Sequence, residues 1–157
     1  MALANSLNPS FPGAVTGKKK VISGSGATAT LSHNDSGATV LFDRAAGIVF
    51  TLPAPKVGTW FDFIVTTTIT SNAAKIITDA GTTFLEGAYI NVDTDTSNAV
   101  AAFNGNGTNH IAVSMNGTTT GAIKGTRLRF ECVSSTMWNV SGTVLGSGTV
   151  ATAFSAS

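Results

Sequence analysis

An all-β fold, an antiparallel sandwich or barrel of jelly-roll-like character with an extended N-terminal arm, is predicted by three features of this sequence. Short runs rich in Val, Ile, Thr and Phe recur every 8 to 12 residues or so, separated by Gly, Asn, Asp and Ser clusters. Within the longer runs apolar and polar residues alternate with a period of two, the period of a half-buried strand. Apolar residues at helical spacing are nearly absent.

The elements follow in chain order. Residues 1–17 lack alternation and carry Pro9, Pro12, Gly13 and Gly17, which suits an extended arm. Its spaced apolar residues Leu3, Leu7, Phe11 and Val15 are unneeded in a solvated tail and suit an arm that orders against a neighbouring chain, with plain disorder as the alternative. Residues 18–157 form a single sandwich or barrel domain, long enough to bury roughly 70% of its unfolded surface without a metal or disulfide. Strands are expected over 20–23, 27–31, 38–42, 48–52, 59–67, 75–78, 88–92, 99–103, 110–115, 118–123, 126–133, 137–141 and 149–154. In the fifth, Phe61, Phe63 and Val65 point one way and Trp60, Asp62 and Ile64 the other, so both faces carry bulk. Asn116-Gly117 predicts a tight hairpin between 110–115 and 118–123, because this pair accepts the positive φ of a type I′ turn. Asn104-Gly105-Asn106-Gly107 reads as a flexible loop tip and Asp35-Ser36-Gly37 as a turn. In the strand over 126–133, Leu128, Phe130 and Cys132 share the buried face and Arg127, Arg129 and Glu131 the exposed one. Cys132, the single cysteine, is therefore a core thiol, and neither a disulfide nor a thiolate zinc site can be built.

Composition narrows the function. The 157 residues carry a formal charge of +1, and only 11% are charged, against about 25% in an ordinary domain. Thr, Ser, Asn and Gly must coat the surface, a coat that resists changes of salt but protects weakly against association. Partner surfaces are the expected consequence. The near-neutral balance opposes a nucleic-acid partner, whose phosphates call for a basic face. Lys18, Lys19 and Lys20 form the one basic run, which reads either as the solvated lead-in to a strand or as a dock for an acidic partner surface. No run of 18 or more apolar residues marks a membrane span, and residues 1–6 lack the basic and apolar regions of a secretory signal. The expectation is a chain made in a cytoplasm, with no membrane partner.

Chemistry-bearing residues are few. His33 and His110 are the only histidines; His33-Asn34-Asp35 sits in an apparent turn where Asn and Asp already have a structural role. Asp93-Thr94-Asp95-Thr96 resembles the opening of a calcium loop, but Asn98 and Asn104 stand where its glycine and closing Glu belong, so an Asx turn is the better account. Trp60 and Trp138 each lie in an alternating strand, which favours core or interface packing over a sugar-stacking platform. No catalytic residue, cofactor or metal site is expected, and the protein is read as a non-enzyme.

Residues 39–142 resemble a module of tailed-phage virion proteins. The likeness is carried by Phe50-Thr51-Leu52-Pro53, by Pro55-Lys56-Val57-Gly58-Thr59-Trp60-Phe61-Asp62-Phe63, by Gly125-Thr126-Arg127-Leu128-Arg129-Phe130 and by Met137-Trp138-Asn139-Val140-Ser141-Gly142. Gly125-Thr126 departs from the Gly-Asp usual before the penultimate strand. The resemblance implies a capsid decoration (cement) protein: a homotrimer on the outside of a phage head, bound to the major capsid protein and stabilising the shell. On that reading Leu3, Leu7, Phe11, Lys18, Lys19 and Lys20 are the candidate capsid contacts. The alternative is a tail-fibre or receptor-binding module that recognises cell-surface glycans.

Overall fold

A computed structural model describes residues 19–24, 26–95 and 99–157. Among the described residues, twelve strands form two mixed sheets packed face to face over one core, an all-β sandwich. The sole helical element described is a 3₁₀ turn over His33–Asp35, and no described helix is long and apolar enough to cross a membrane.

The first half of the domain coils between the sheets. Strands β1 (Val21–Ser23), β3 (Thr39–Phe42) and β5 (Trp60–Val65) lie side by side and parallel in the larger sheet. Strands β2 (Thr28–Thr30), β4 (Val49–Thr51) and β6 (Ala74–Ile77) do the same in the smaller one. A parallel pair needs a long crossover, and here each crossover is the intervening strand of the opposite sheet. The all-β sandwich is as expected, but its sheets are mixed where an antiparallel, jelly-roll-like arrangement was expected. Alternation and turn spacing look the same in a strand that coils onward and in one that doubles back.

The second half completes both sheets. Strands β7 (Phe84–Asp93), β8 (Val100–Asn106), β10 (Arg127–Ser134) and β11 (Met137–Gly146) give a seven-stranded sheet of order β1-β3-β5-β10-β11-β7-β8. Strands β9 (Ala112–Met115) and β12 (Phe154–Ser155) complete a five-stranded sheet of order β12-β9-β6-β4-β2. Asn104, Gly105 and Asn106 belong to β8, so the expected loop tip is mostly ladder.

The Asn116-Gly117 hairpin does not form. Gly117 has the required positive φ of 84°, but β9 is already paired on both sides, with β6 and β12, and offers no edge to residues 118–123. Asn116 instead organises a loop, its Oδ1 accepting from the amides of Thr118 and Thr120. A Cβ on Gly117 would lie 1.9 Å from the Ile69 carbonyl oxygen, so the glycine is also needed for close packing. The buried Asn91 staples this loop to the C-terminal segment, its Nδ2 donating to the carbonyls of Thr119 and Ala151. Of the strand expected over 149–154, only Phe154 enters a ladder. Its ring packs 5.2 Å from Tyr89 and stacks on His110.

The core is aromatic at its centre. Phe63 contacts Phe42, Phe50, Phe61 and Phe130 at ring separations of 5.3 to 6.4 Å, and Phe61 meets Trp138 at 6.0 Å. Leu128, Phe130 and Cys132 point inward as the alternation requires. Burial pushes the Cys132 thiol up from its ordinary pKa, outweighing its hydrogen bonds with the Lys56 and Ser134 backbone, and the protonated thiol donates to the Ser134 carbonyl.

Candidate functional site

Register across the seven-stranded sheet places its outer residues in rows. One row runs Val21, Thr39, Asp62, Arg129, Ser141, Ala88, Asn104; the next runs Ser23, Leu41, Ile64, Arg127, Thr143, Ile90, Ala102. At the sheet spacing of about 4.8 Å each row spans roughly 30 Å. A third row adds Trp60, Glu131, Asn139, Glu86 and Asn106.

Asp62 is the hub of this face. Its side chain is only 2% exposed, yet it lies on the solvent side of the sheet because three cations cover it. Lys19 Nζ donates to Oδ2 at 2.9 Å and Arg127 Nη2 to the same oxygen at 3.1 Å, while Arg129 Nη1 stands 3.7 Å from Oδ1. Burial alone would raise this carboxyl; the hydrogen bonds from Lys19 and Arg127 outweigh it and hold the group below its ordinary value of 3.8. Asp62 is therefore an anion at neutral pH.

Trp60 lies beside this hub. Lys19 Nζ is 4.8 Å and Arg129 Cζ 4.1 Å from its ring centroid, within cation–π range. Arg127 and Arg129 remain 59% and 42% exposed and border a cleft of about 200 Å³ whose other walls are Asp62, Ser141, Gly142 and Thr143. Toward β8 the same face turns apolar, with Ile90 and Val100 left 42% and 62% exposed.

The expected contact residues fall in two groups. Leu3, Leu7, Phe11 and Lys18 lie outside the described residues. Lys19 and Lys20 are held by the domain itself, Lys19 by Asp62 and Trp60 and Lys20 by an ion pair with Asp35. Their side chains remain about half exposed, and Lys19 lies on the outer face while bracing it. Asp35 also accepts from the Ser32 backbone and hydroxyl, which closes the 3₁₀ turn. Lys20 and then Ser32 hold its carboxyl below the ordinary value against a smaller effect of burial. That commitment leaves His33 without a carboxylate to orient it; its Nδ1 is 3.5 Å from the Thr59 hydroxyl. Asp93 forms the expected Asx turn, its Oδ1 accepting from the Asp95 amide, and Asp95 in turn accepts from the Gly148 amide.

The two tryptophans divide. Trp138 is fully buried core, whereas Trp60 is half-buried on the outer face. Sequence reasoning placed Arg127 and Arg129 on the exposed face of their strand and Asp62 on the Trp60 side of its own, without deciding which side of that strand is outer, and did not bring them together. Arg127 and Asp62 stand 65 positions apart, and only the β5–β10 register joins them. Among the described residues no group of three or more His, Cys, Asp or Glu side chains is arranged to hold a metal. No family model, curated protein or solved structure matches the chain.

Proposed function

We propose that this chain is a structural, non-enzymatic virion protein: a capsid decoration protein that binds the outside of a phage head as a homotrimer and stabilises the shell. Its partners are further copies of itself and the major capsid protein, and its place is the virion surface after assembly in the host cytoplasm. One observation carries most weight. The core is complete beneath the seven-stranded sheet, yet the outer face of that sheet presents Trp60, Arg127 and Arg129 beside exposed Ile90 and Val100. Aromatic and arginine side chains are enriched at contact surfaces, and exposed apolar residues on the same face are the kind of surface a partner covers. The threonine-rich, charge-poor coat read from the sequence supports the same conclusion. A trimer multiplies modest contacts, since each further arm or base binds at high effective concentration once the first is engaged.

The test is size-exclusion chromatography with light scattering, then mixing with empty phage heads, for the full chain and for a version lacking residues 1–17. A trimer in both cases, with head binding weakened or lost in the truncated version, is the expected result. The alternative reading, a tail-fibre or receptor-binding module for cell-surface glycans, draws on the outer position of Trp60 on a face that also carries polar Ser141 and Thr143. Its ring is already engaged by Lys19 and Arg129, which leaves less of it for a sugar. A monomer that ignores heads and binds glycans would reverse the ranking.

A further inference from the structure

We propose that the cleft beside Arg127 and Arg129 is a recognition site for a carboxylate of a protein partner, an Asp or Glu side chain carried on an apolar segment. Charge balance is the first argument. Lys19, Arg127 and Arg129 surround the single carboxylate of Asp62, a surplus of two positive charges, or of one when Glu131, 4.0 Å from Arg129, is counted. A surplus of that size suits one monoanion.

Geometry is the second. Among the described residues Arg127 uses one guanidinium nitrogen, Nη2, on Asp62, and Arg129 approaches the same group only at 3.7 Å. Each planar fork therefore keeps N–H groups for a second acceptor, and such forks match a carboxylate bidentately. Asp62 and Trp60 hold the two guanidinium groups in place, so little rotamer freedom remains to be lost on binding. The cleft volume of about 200 Å³ admits one side-chain carboxylate.

Surroundings identify the source of the anion. Arg127 shares its row with Thr143 and then Ile90, two strands or about 10 Å away, and Ile90 leads to the exposed edge strand that bears Val100. Apolar surface beside an arginine fork fits an acidic residue flanked by aliphatic ones. It fits a sugar poorly, and Asp62, Glu131 and Glu86 on the same face oppose a polyanion such as nucleic acid.

The test is an NMR titration of the ¹⁵N-labelled full chain with the capped peptide Gly-Val-Glu-Val-Gly and its glutamine counterpart. Sialyllactose and inorganic phosphate form the other two arms. Saturable shifts are expected at the Arg127 and Arg129 Nε–H and Trp60 indole signals, with the glutamine peptide at least about tenfold weaker. The buried Trp138 indole should not move. The double variant Arg127→Gln/Arg129→Gln should lose the response, its fold checked by an unchanged Trp138 signal, while Lys75→Gln on the opposite sheet should keep it. Equal binding of the two peptides, preference for sialyllactose or phosphate, or no saturable shift up to about 10 mM peptide would overturn the proposal. The site is independent of the decoration reading: failure with phage heads leaves it standing, and failure with the peptide leaves that reading standing.

Discussion

The guanidinium carbon of Arg129 lies 4.1 Å from the ring centroid of Trp60, on the solvent side of the seven-stranded sheet. The two residues are diagonal neighbours across β5 and β10, since Trp60 stands opposite Glu131 and Arg129 opposite Asp62. A half-exposed contact of this kind contributes about 0.5–1 kcal/mol. Arg129→Ala should therefore lower stability by no more than about 1 kcal/mol while shifting tryptophan emission to the red. Trp138 is fully buried, so the shift reports Trp60 alone. An unchanged emission spectrum would show that arginine does not shield the ring in solution.

Asp62 links stability to pH. Its folded-state carboxyl is held below 3.8, so its contribution is complete above that value and is lost as pH falls through the lower folded-state value. Asp62→Asn should cost about 1–2 kcal/mol at about pH 7, the range for hydrogen bonds to a charged group, reduced because Lys19 and Arg127 remain half exposed. Urea unfolding of both proteins from neutral to acidic pH checks the sign. The gap between them should narrow as pH falls below 3.8 through the folded-state value; a gap that persists undiminished in acid would assign the loss to packing.

Phe63 is the ring about which the core is organised, with four aromatic neighbours drawn from both sheets. Phe63→Ala removes a side chain only 2% exposed from between those rings, and cavities of that kind cost about 3–5 kcal/mol. The denaturant midpoint should drop accordingly with little change in slope. A loss under about 1 kcal/mol would mean that the sheets collapse into the space, contrary to a close-packed aromatic centre.

Sequence reading succeeded where a single strand suffices to decide the matter. In β5 and β10 alternation alone separated Phe61, Phe63, Leu128 and Cys132 from Trp60, Asp62, Arg127 and Arg129, and the two sets lie on opposite faces of their strands, with the assigned core face of β10 buried. It failed at Asn116-Gly117, where local turn chemistry was right about the positive φ of Gly117 and wrong about the strand after it. A hairpin needs a free edge, and whether β9 has one depends on β6 and β12, distant in the chain.

By itself the sequence determined that this protein is all-β and which side chains of a strand such as β10 enter the core, because a period of two is a local property of the backbone. The tertiary structure decided that β1 to β6 coil in parallel rather than doubling back, that Trp138 is buried while Trp60 faces outward, and that Lys19, Asp62, Arg127 and Arg129 meet. Those outcomes depend on strand pairing and register, which are settled when both sheets close over one core and every strand must bury its apolar face at once.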